Sequence, residues 1–438
     1  MRWVIAFLAA LLVLGIAVIA VLNWSQPAKK TAKSRYSGGI AVKIEGQRSG
    51  KKKSGLGSST KTAGLAAVGN RQSGFGAEFS PENLYEEGEV VVLDPPKAFR
   101  AKASQLGFSV VETVELEELS LLLYRLRIPP GSTVPQARRL LRGRFPGLTM
   151  DANHLFETQG AKTSSQPHFK AHVRSLVGWN NYPDGCGKGI RLGMIDAGVD
   201  VKHSALTGQK VEFRSFHKKG RKPGPADHGT AVATIIVGKP EWGGLLPGAE
   251  LKAANMFEVN ESGRIVGNSV ALLKAINWMA KTKVAVVNLS IAGTDNSVVR
   301  VAFNKARQKG LVMVAAAGNW GSGSKPAYPA AYEHVVAVTA FNDRKLIYTR
   351  ANTGKYIDFA APGVHIWTAV PGGGRFQSGT SFASPYIAVL MALEIAKGGG
   401  KSLNSLRGIM QRNIVDMGAP GKDQVFGWGF VHKAAKCR

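Results

Sequence analysis

Four short segments carry side chains able to do covalent chemistry. Asp196 closes the apolar run "GIRLGMID", and His228 opens "HGTAVATIIVG" with His228-Gly229-Thr230. Asn319 ends "LVMVAAAGN", and Gly379-Thr380-Ser381 leads into "FASPYIAVLMALEIAK". Singly, each has an ordinary reading: Asp196 as a turn carboxylate, His228 as a polar helix cap, Gly318-Asn319 as a turn, Ser381 as an N-cap. Jointly they supply the four parts of nucleophilic acyl transfer. A hydroxyl needs a base to take its proton, and the base needs a carboxylate to hold its tautomer. The oxyanion that develops needs a donor that water does not screen. Ser381 lacks the G-x-S-x-G elbow, which counts against a hydrolase-fold esterase.

The elements around these residues alternate. After about residue 186, "GIRLGMID", "ELKAANMF", "KVAVVNLSI" and "LVMVAAAGN" read as strands. "HGTAVATIIVG", "SVALLKAINWMAK" and "SVVRVAFNKARQKG" read as helices between and beside them. Near-continuous apolar strands alternating with helices predict a doubly wound parallel sheet covered on both faces. All four polar residues then fall at strand C-termini or helix N-termini, where open α/β sheets place their sites. Pro385 is expected to be tolerated because it lies early in its helix, where N–H groups lack internal partners.

The chemical order Asp–His–Ser is that of subtilisin. From about 186 to 435 the chain resembles the subtilisin-like serine proteases, the subtilases, through "GMIDAGVD", "DHGTAVAT", "VVNLSIAG", "VAAAGN", "YPAAY", "DFAAPGV" and "GTSFASP" in family order. The resemblance implies Asp196 as orienting carboxylate, His228 as general base and then acid, Ser381 as nucleophile, and Asn319 with the Ser381 N–H as oxyanion hole. It implies protein or peptide substrates lying along Ser290, Ile291 and Ala292 by strand addition. Ala316, Ala317 and Gly318 would wall the pocket for the residue before the cut, with Ala327 near its floor. Small uncharged walls predict apolar or aromatic side chains there. The chain departs from the family's common residues at Ala231, Ala292, Trp320, Phe382 and Tyr386. No triad member is lost. No cofactor is implied: family calcium sites need about 6–8 oxygen ligands, and "IIVGKPEWG" offers one carboxylate, Glu241. A catalytically silent scaffold is the competing reading, and the complete four-residue set argues against it.

Upstream, residues 88–157 read as β-α-β-β-α-β, a small ferredoxin-like α+β unit with nothing catalytic in it. It resembles the inhibitory propeptide of subtilases, an intramolecular inhibitor, so self-cleavage is expected within residues 156–170. Cys186 and Cys437 bracket the protease-like region. Paired, they would close a loop of about 250 residues and suit an oxidising compartment; unpaired, they are two thiols near the ends of the domain.

Residues 3–22 form an uncharged apolar run long enough to span a bilayer, read as a retained anchor or a cleaved signal. Residues 23–79, rich in Lys, Ser and Gly, read as a flexible tether. The expected organisation is 1–24 anchor or signal, 25–79 basic linker, 80–160 propeptide-like domain and 161–438 peptidase domain. The protease domain is expected outside the cytoplasm, membrane-anchored or secreted after signal cleavage. The 438 residues carry a net charge of +28. It divides as +10 over 1–79, −2 over 80–157 and +20 over 158–438. Charge alone suggests nucleic acid, but no recognition motif supports it and stacking aromatics are sparse in the basic tether. A slightly acidic small unit facing a basic protease instead predicts docking weakened by salt.

Overall fold

The computed structural model describes residues 84–158, 161–162 (backbone alone), 170–179, 183, 185–400, 402–434 and 437. The candidate anchor at 3–22 and the linker at 25–79 lie outside them. Among the described residues no helix is long and apolar enough to cross a membrane.

The N-terminal unit runs β1 (Tyr85–Leu93), α1 (Phe99–Gln105), β2 (Ser109–Leu116), β3 (Leu121–Arg127), α2 (Val134–Arg144) and β4 (Thr149–Thr158). Its strands pair antiparallel in the order β2-β3-β1-β4, the arrangement that a split β-α-β pair of units produces. Helix α2 starts where a capping box predicts it: Gln136 N–H donates to Thr133 Oγ1, and Thr133 N–H donates to Gln136 Oε1. Both helices cover one sheet face, where Phe99 and Leu141 meet Val90, Val92 and Met150. The other face carries Val91, Leu93, Leu121 and Leu123, which pack on apolar residues of the large domain. This explains why "VVVL" in β1 does not alternate: both of its faces are buried.

The chain continues through β5 (Ala161–Lys162), α3 (Val173–Leu176), β6 (Arg191–Asp196), β7 (Lys210–Ser215), β8 (Lys222–Pro223) and α4 (Asp227–Val237). Then come β9 (Glu250–Asn255), β10 (Phe257–Val259), β11 (Ile265–Asn268), α5 (Ser269–Lys281), β12 (Val286–Leu289), β13 (Ile291–Gly293), α6 (Ser297–Gln308) and β14 (Val312–Ala316). The last are β15 (Val336–Phe341), β16 (Ile357–Pro362), β17 (Ile366–Val370), β18 (Gly373–Ser378), α7 (Thr380–Ala396), α8 (Leu403–Gln411), β19 (Ile414–Val415) and β20 (Phe430–Val431). The main sheet has the order β19-β20-β16-β15-β14-β12-β6-β9-β7, parallel except for the β19–β20 pair. Helices α5 and α6 cover one face; α4, α7 and α8 cover the other. Strand order reverses at β6/β12, so β6 and β12 open a crevice at their carboxyl ends.

Three features are absent from the alternating pattern. Strand β7 is mostly polar, the β10–β11 hairpin is short, and the β17–β18 hairpin ends in "GGRFQS". Their strand character comes from cross-strand partners rather than from hydrophobic period. Pro385 also departs from expectation. It sits in the second turn of α7, where a residue with an N–H would bond the Ser381 carbonyl. That carbonyl instead accepts from Ser290 Oγ at 3.3 Å. The cysteines pair: a disulfide joins Cys186 to Cys437, with Cα atoms 5.3 Å apart, tying the two ends of the large domain.

The small unit enters the cleft through β4. On one side β4 pairs antiparallel with β13: Phe156 with Gly293, Glu157 with Ala292, Thr158 with Ile291. On the other, Leu155 and Phe156 pair with Asn268 and Gly267 of β11. Beyond the next two residues, Ala161 and Lys162 pair with Ser378 and Gln377 of β18.

Candidate active site

Asp196 is the last residue of β6 and is completely buried. Its Oδ1 lies 2.7 Å from His228 Nδ1 and also accepts the Ala197 N–H at 2.6 Å. The second bond fixes the carboxylate's rotation, and the first orients the imidazole so that Nε2 faces away from the sheet. His228 is the second residue of α4 rather than its cap; Ala226 holds the N-cap position. Its ring lies 5.2 Å from that of Phe382. Phe382, one of the departures from the family pattern, is thus a wall of the histidine's own pocket.

Ser381 is the second residue of α7, not an N-cap. Gly379 occupies that place, its N–H held by Gly363 O at 2.8 Å. Ser381 Oγ donates to Ser290 O at 3.4 Å, and His228 Nε2 is buried with no hydrogen-bond partner among the described residues. The structure therefore shows the Asp196–His228 link but no His228–Ser381 hydrogen bond.

Asn319 follows β14 across the sheet. Its carboxamide oxygen accepts from Thr380 N at 3.2 Å and from Thr380 Oγ1 at 3.0 Å, while Thr380 Oγ1 accepts the Gly318 N–H at 3.3 Å. With the oxygen end pinned by Thr380, the Nδ2 end is turned away from it. Thr380 is the residue a reading of motifs passes over, because a threonine beside a serine looks like local capping chemistry; only the fold brings it against Asn319.

The expected substrate-contact residues gather in two places. Ser290, Ile291 and Ala292 line the edge that β4 occupies, and all are fully buried beneath it. Ala316, Ala317 and Gly318 form a second wall, with Ala327 behind. Gly318 has φ +105, and a Cβ there would come within 2.8 Å of Asn352 and Ala327 atoms, so glycine alone fits. Two residues not anticipated shore up this wall. Tyr356 O–H donates to Ala317 O at 2.7 Å, its phenol pushed up to about 12 by burial. Asn352 Oδ1 accepts from Trp320 N at 2.8 Å, which holds the start of the half-buried Trp320 rather than leaving it a mobile flap. Tyr386, another departure, serves the core: its hydroxyl donates to Val431 O at 2.8 Å. Among the described residues there is no group of three or more His, Cys, Asp or Glu placed to hold a metal.

Residues 187–429, more than half of the chain, match the model of the subtilase family. The chain belongs to the subtilase family of subtilisin-like serine proteases. It is 35% identical over 258 residues to the minor extracellular protease Epr of Bacillus subtilis (strain 168), covering 57% of this chain and 39% of that protein. It is 34% identical over 227 residues to subtilisin-like protease 1 of Arthroderma otae, covering 49% of this chain and 45% of that one. The chain thus spans less than half the length of these two relatives. Among solved structures it is similar in fold to fervidolysin of Fervidobacterium pennivorans, described as a keratinolytic enzyme related to subtilisin. That match has a TM-score of 0.65 at 21% identity, over 80% of this chain and 60% of the other.

Proposed function

We propose that this subtilase is a serine endopeptidase made as a self-processing zymogen, with Asp196, His228, Ser381 and Asn319 as its catalytic set. The reading is carried by the course of its own backbone. A segment ending at Thr158 is paired to β13, and a segment beginning at Ala161 is paired to β18, which leads directly to Ser381. The chain is therefore paired to the cleft on both sides of residues 159–160, in the manner of strand addition. The cut falls at one of the three peptide bonds between Thr158 and Ala161.

In this reading Ser381 Oγ forms a bond to the scissile carbonyl carbon as its proton passes to His228 Nε2. The tetrahedral oxyanion takes hydrogen bonds from Asn319 Nδ2 and the Ser381 N–H. Asp196, held by Ala197 N–H, stabilises the imidazolium. His228 then gives the proton to the leaving amine, and water repeats the sequence to release the acid from Ser381. The walls at Ala316, Ala317, Gly318 and Ala327 favour apolar or aromatic side chains before the cut. The small unit, once cut, stays as an inhibitor because its interface outlives the bond. The Cys186–Cys437 disulfide supports a site of action outside the cytoplasm, with residues 3–22 as tether or signal.

Full-length protein and Ser381→Ala test this together. The wild type is expected to cut itself once, with a new N-terminus at residue 159, 160 or 161, and to take a fluorophosphonate label. Ser381→Ala should stay full length and unlabelled. Folded wild type that stays whole and unlabelled would instead favour the silent scaffold. Membrane fractionation with N-terminal sequencing separates anchor from signal.

A further inference from the structure

The strand that fills the cleft carries a charge contact that belongs to the enzyme's half. Along β4, alternate side chains face opposite ways. Phe156 is buried against Gly293, where a Cβ would come within 2.5 Å of its ring. Glu157, one residue on, pairs through its backbone with Ala292 and turns the other way. Its Oε1 lies 3.3 Å from Arg264 Nη2.

Arg264 stands at the tip of the β10–β11 hairpin, and nothing in the small unit is needed to hold its backbone. Its N–H donates to Asn260 Oδ1 at 2.8 Å, and its carbonyl accepts the Asn260 N–H at 2.9 Å. The hairpin continues in three paired positions from Phe257–Gly267 to Val259–Ile265. Strands β11 and β13 therefore bound a slot one strand wide, with the Arg264 guanidinium on its rim.

We propose that Arg264 is a specificity-determining residue that selects substrates with a carboxylate at the position pairing with Ala292. This rests on the reading that peptides bind along β13. The substrate class it names is an extended segment with an aromatic or large apolar residue followed by Asp or Glu, two or more residues before the cut. The small unit's own Phe156-Glu157 is then an example of what the cleft accepts. The contact is partly open, with side-chain exposures of 47% and 30%. A pair of that kind changes affinity a few-fold rather than by orders of magnitude.

The test uses full-chain enzyme after self-processing and release of the cut small unit, and octapeptides copied from residues 155–162, with Glu, Gln or Lys at the position of Glu157. Expected kcat/KM falls about threefold to fivefold from Glu to Gln and again from Gln to Lys at low salt. The spread should narrow at about 0.5 M salt, where the Debye length is a few ångströms. Arg264→Glu should reverse the order, and Arg264→Gln should flatten it. In the chain itself, Glu157→Lys should slow self-cleavage, and Glu157→Lys with Arg264→Glu should restore it. Equal cleavage of the three peptides by wild type at low salt overturns the proposal without need of any variant. If no peptide is cut and Ser381 takes no label, it is the peptidase reading that fails.

Discussion

The candidate catalytic cluster and the seam between the small unit and the large domain are built from different materials. Around Ser381 the contacts are mostly hydrogen bonds among buried groups: Asp196 with Ala197, Asn319 with Thr380, Ser290 with Ser381. Along the seam, beside the strand pairing and apolar packing, they are ion pairs whose cations are partly open, with the Glu86 and Glu89 carboxylates buried. Lys218 bonds Glu89, Arg221 bonds Glu86, Lys274 bonds Glu112, and Arg264 bonds Glu157. In each pair the cation comes from the large domain and the carboxylate from the small unit, as the charge division of the sequence leads one to expect. Buried hydrogen bonds keep their geometry whatever the solvent, because water cannot compete for them. Rim ion pairs are screened and titratable.

The largest expected effect tests the rigid side. Asn319→Ala should lower kcat on the order of 10²–10³ with little change in KM, a magnitude taken over from the oxyanion-hole asparagine of subtilisin. An unchanged kcat would remove Asn319 from the catalytic set. On the other side, Arg221 is the least exposed cation of the seam. It holds Glu86 and the fully buried Glu258 at 2.5 and 2.6 Å. Arg221→Gln leaves Glu258 without its charge partner and should destabilise the full chain by about 3 kcal/mol in denaturant melts. A loss below about 0.5 kcal/mol would class this pair with the screened ones.

Thr380→Val keeps the shape of the side chain and removes its bond to Asn319. We expect kcat to fall about tenfold at constant KM, the worth of one hydrogen bond. A fall in folding stability with kcat intact would make Thr380 structural only.

Acid should loosen the seam before it touches the core, and this effect is the smallest. His154, a buried residue of β4, has Nδ1 3.0 Å from Asn296 Nδ2 and faces Asp151, Arg138 and Asp295. Burial holds its imidazole below the ordinary value of 6.5. A depressed histidine favours the docked state above that value, and the advantage fades as pH drops through it. Glu89 and Glu112 follow at lower pH. Burial alone would raise both carboxyls, but Lys218 with Asn153 and Arg125, and Lys274 with Arg125, hold them below 4.5. Their contribution is present above 4.5 and lost below it. Co-elution of the cut small unit with the enzyme should therefore decline from pH 7 to 5 and again below 4.5, sooner at high salt. Retention that is flat to pH 4 would refute the assignment of these groups to the seam.

Much of this was legible in one dimension because the family motifs sit at element ends that hydrophobic pattern can locate. The strands ending at Asp196 and Ala316 are apolar runs that could hardly lie elsewhere than in a covered parallel sheet. The β-α-β-β-α-β order was equally plain, since each of its strands is bounded by turn residues and α2 by a capping box. The β17–β18 hairpin was not legible: "GGRFQS" has neither period nor propensity, and its ladder exists because β17 and the 161–162 segment lie beside it. What makes Pro385 tolerable was hidden for a related reason, since the spare Ser381 carbonyl in α7 is satisfied by Ser290 from another element.

Residue types and their order were enough to determine which groups could do chemistry, which fold would carry them, and that an acidic-leaning unit precedes a basic domain. Those properties follow from local pattern and from charge, which add up along the chain. Tertiary structure alone decided that Thr380 holds Asn319, that Cys186 meets Cys437, that Arg264 faces Glu157, and that the chain's own strand lies in the cleft. Each of these joins positions far apart in sequence or on different elements, so it depends on how the elements pack, and packing is set by the whole core at once.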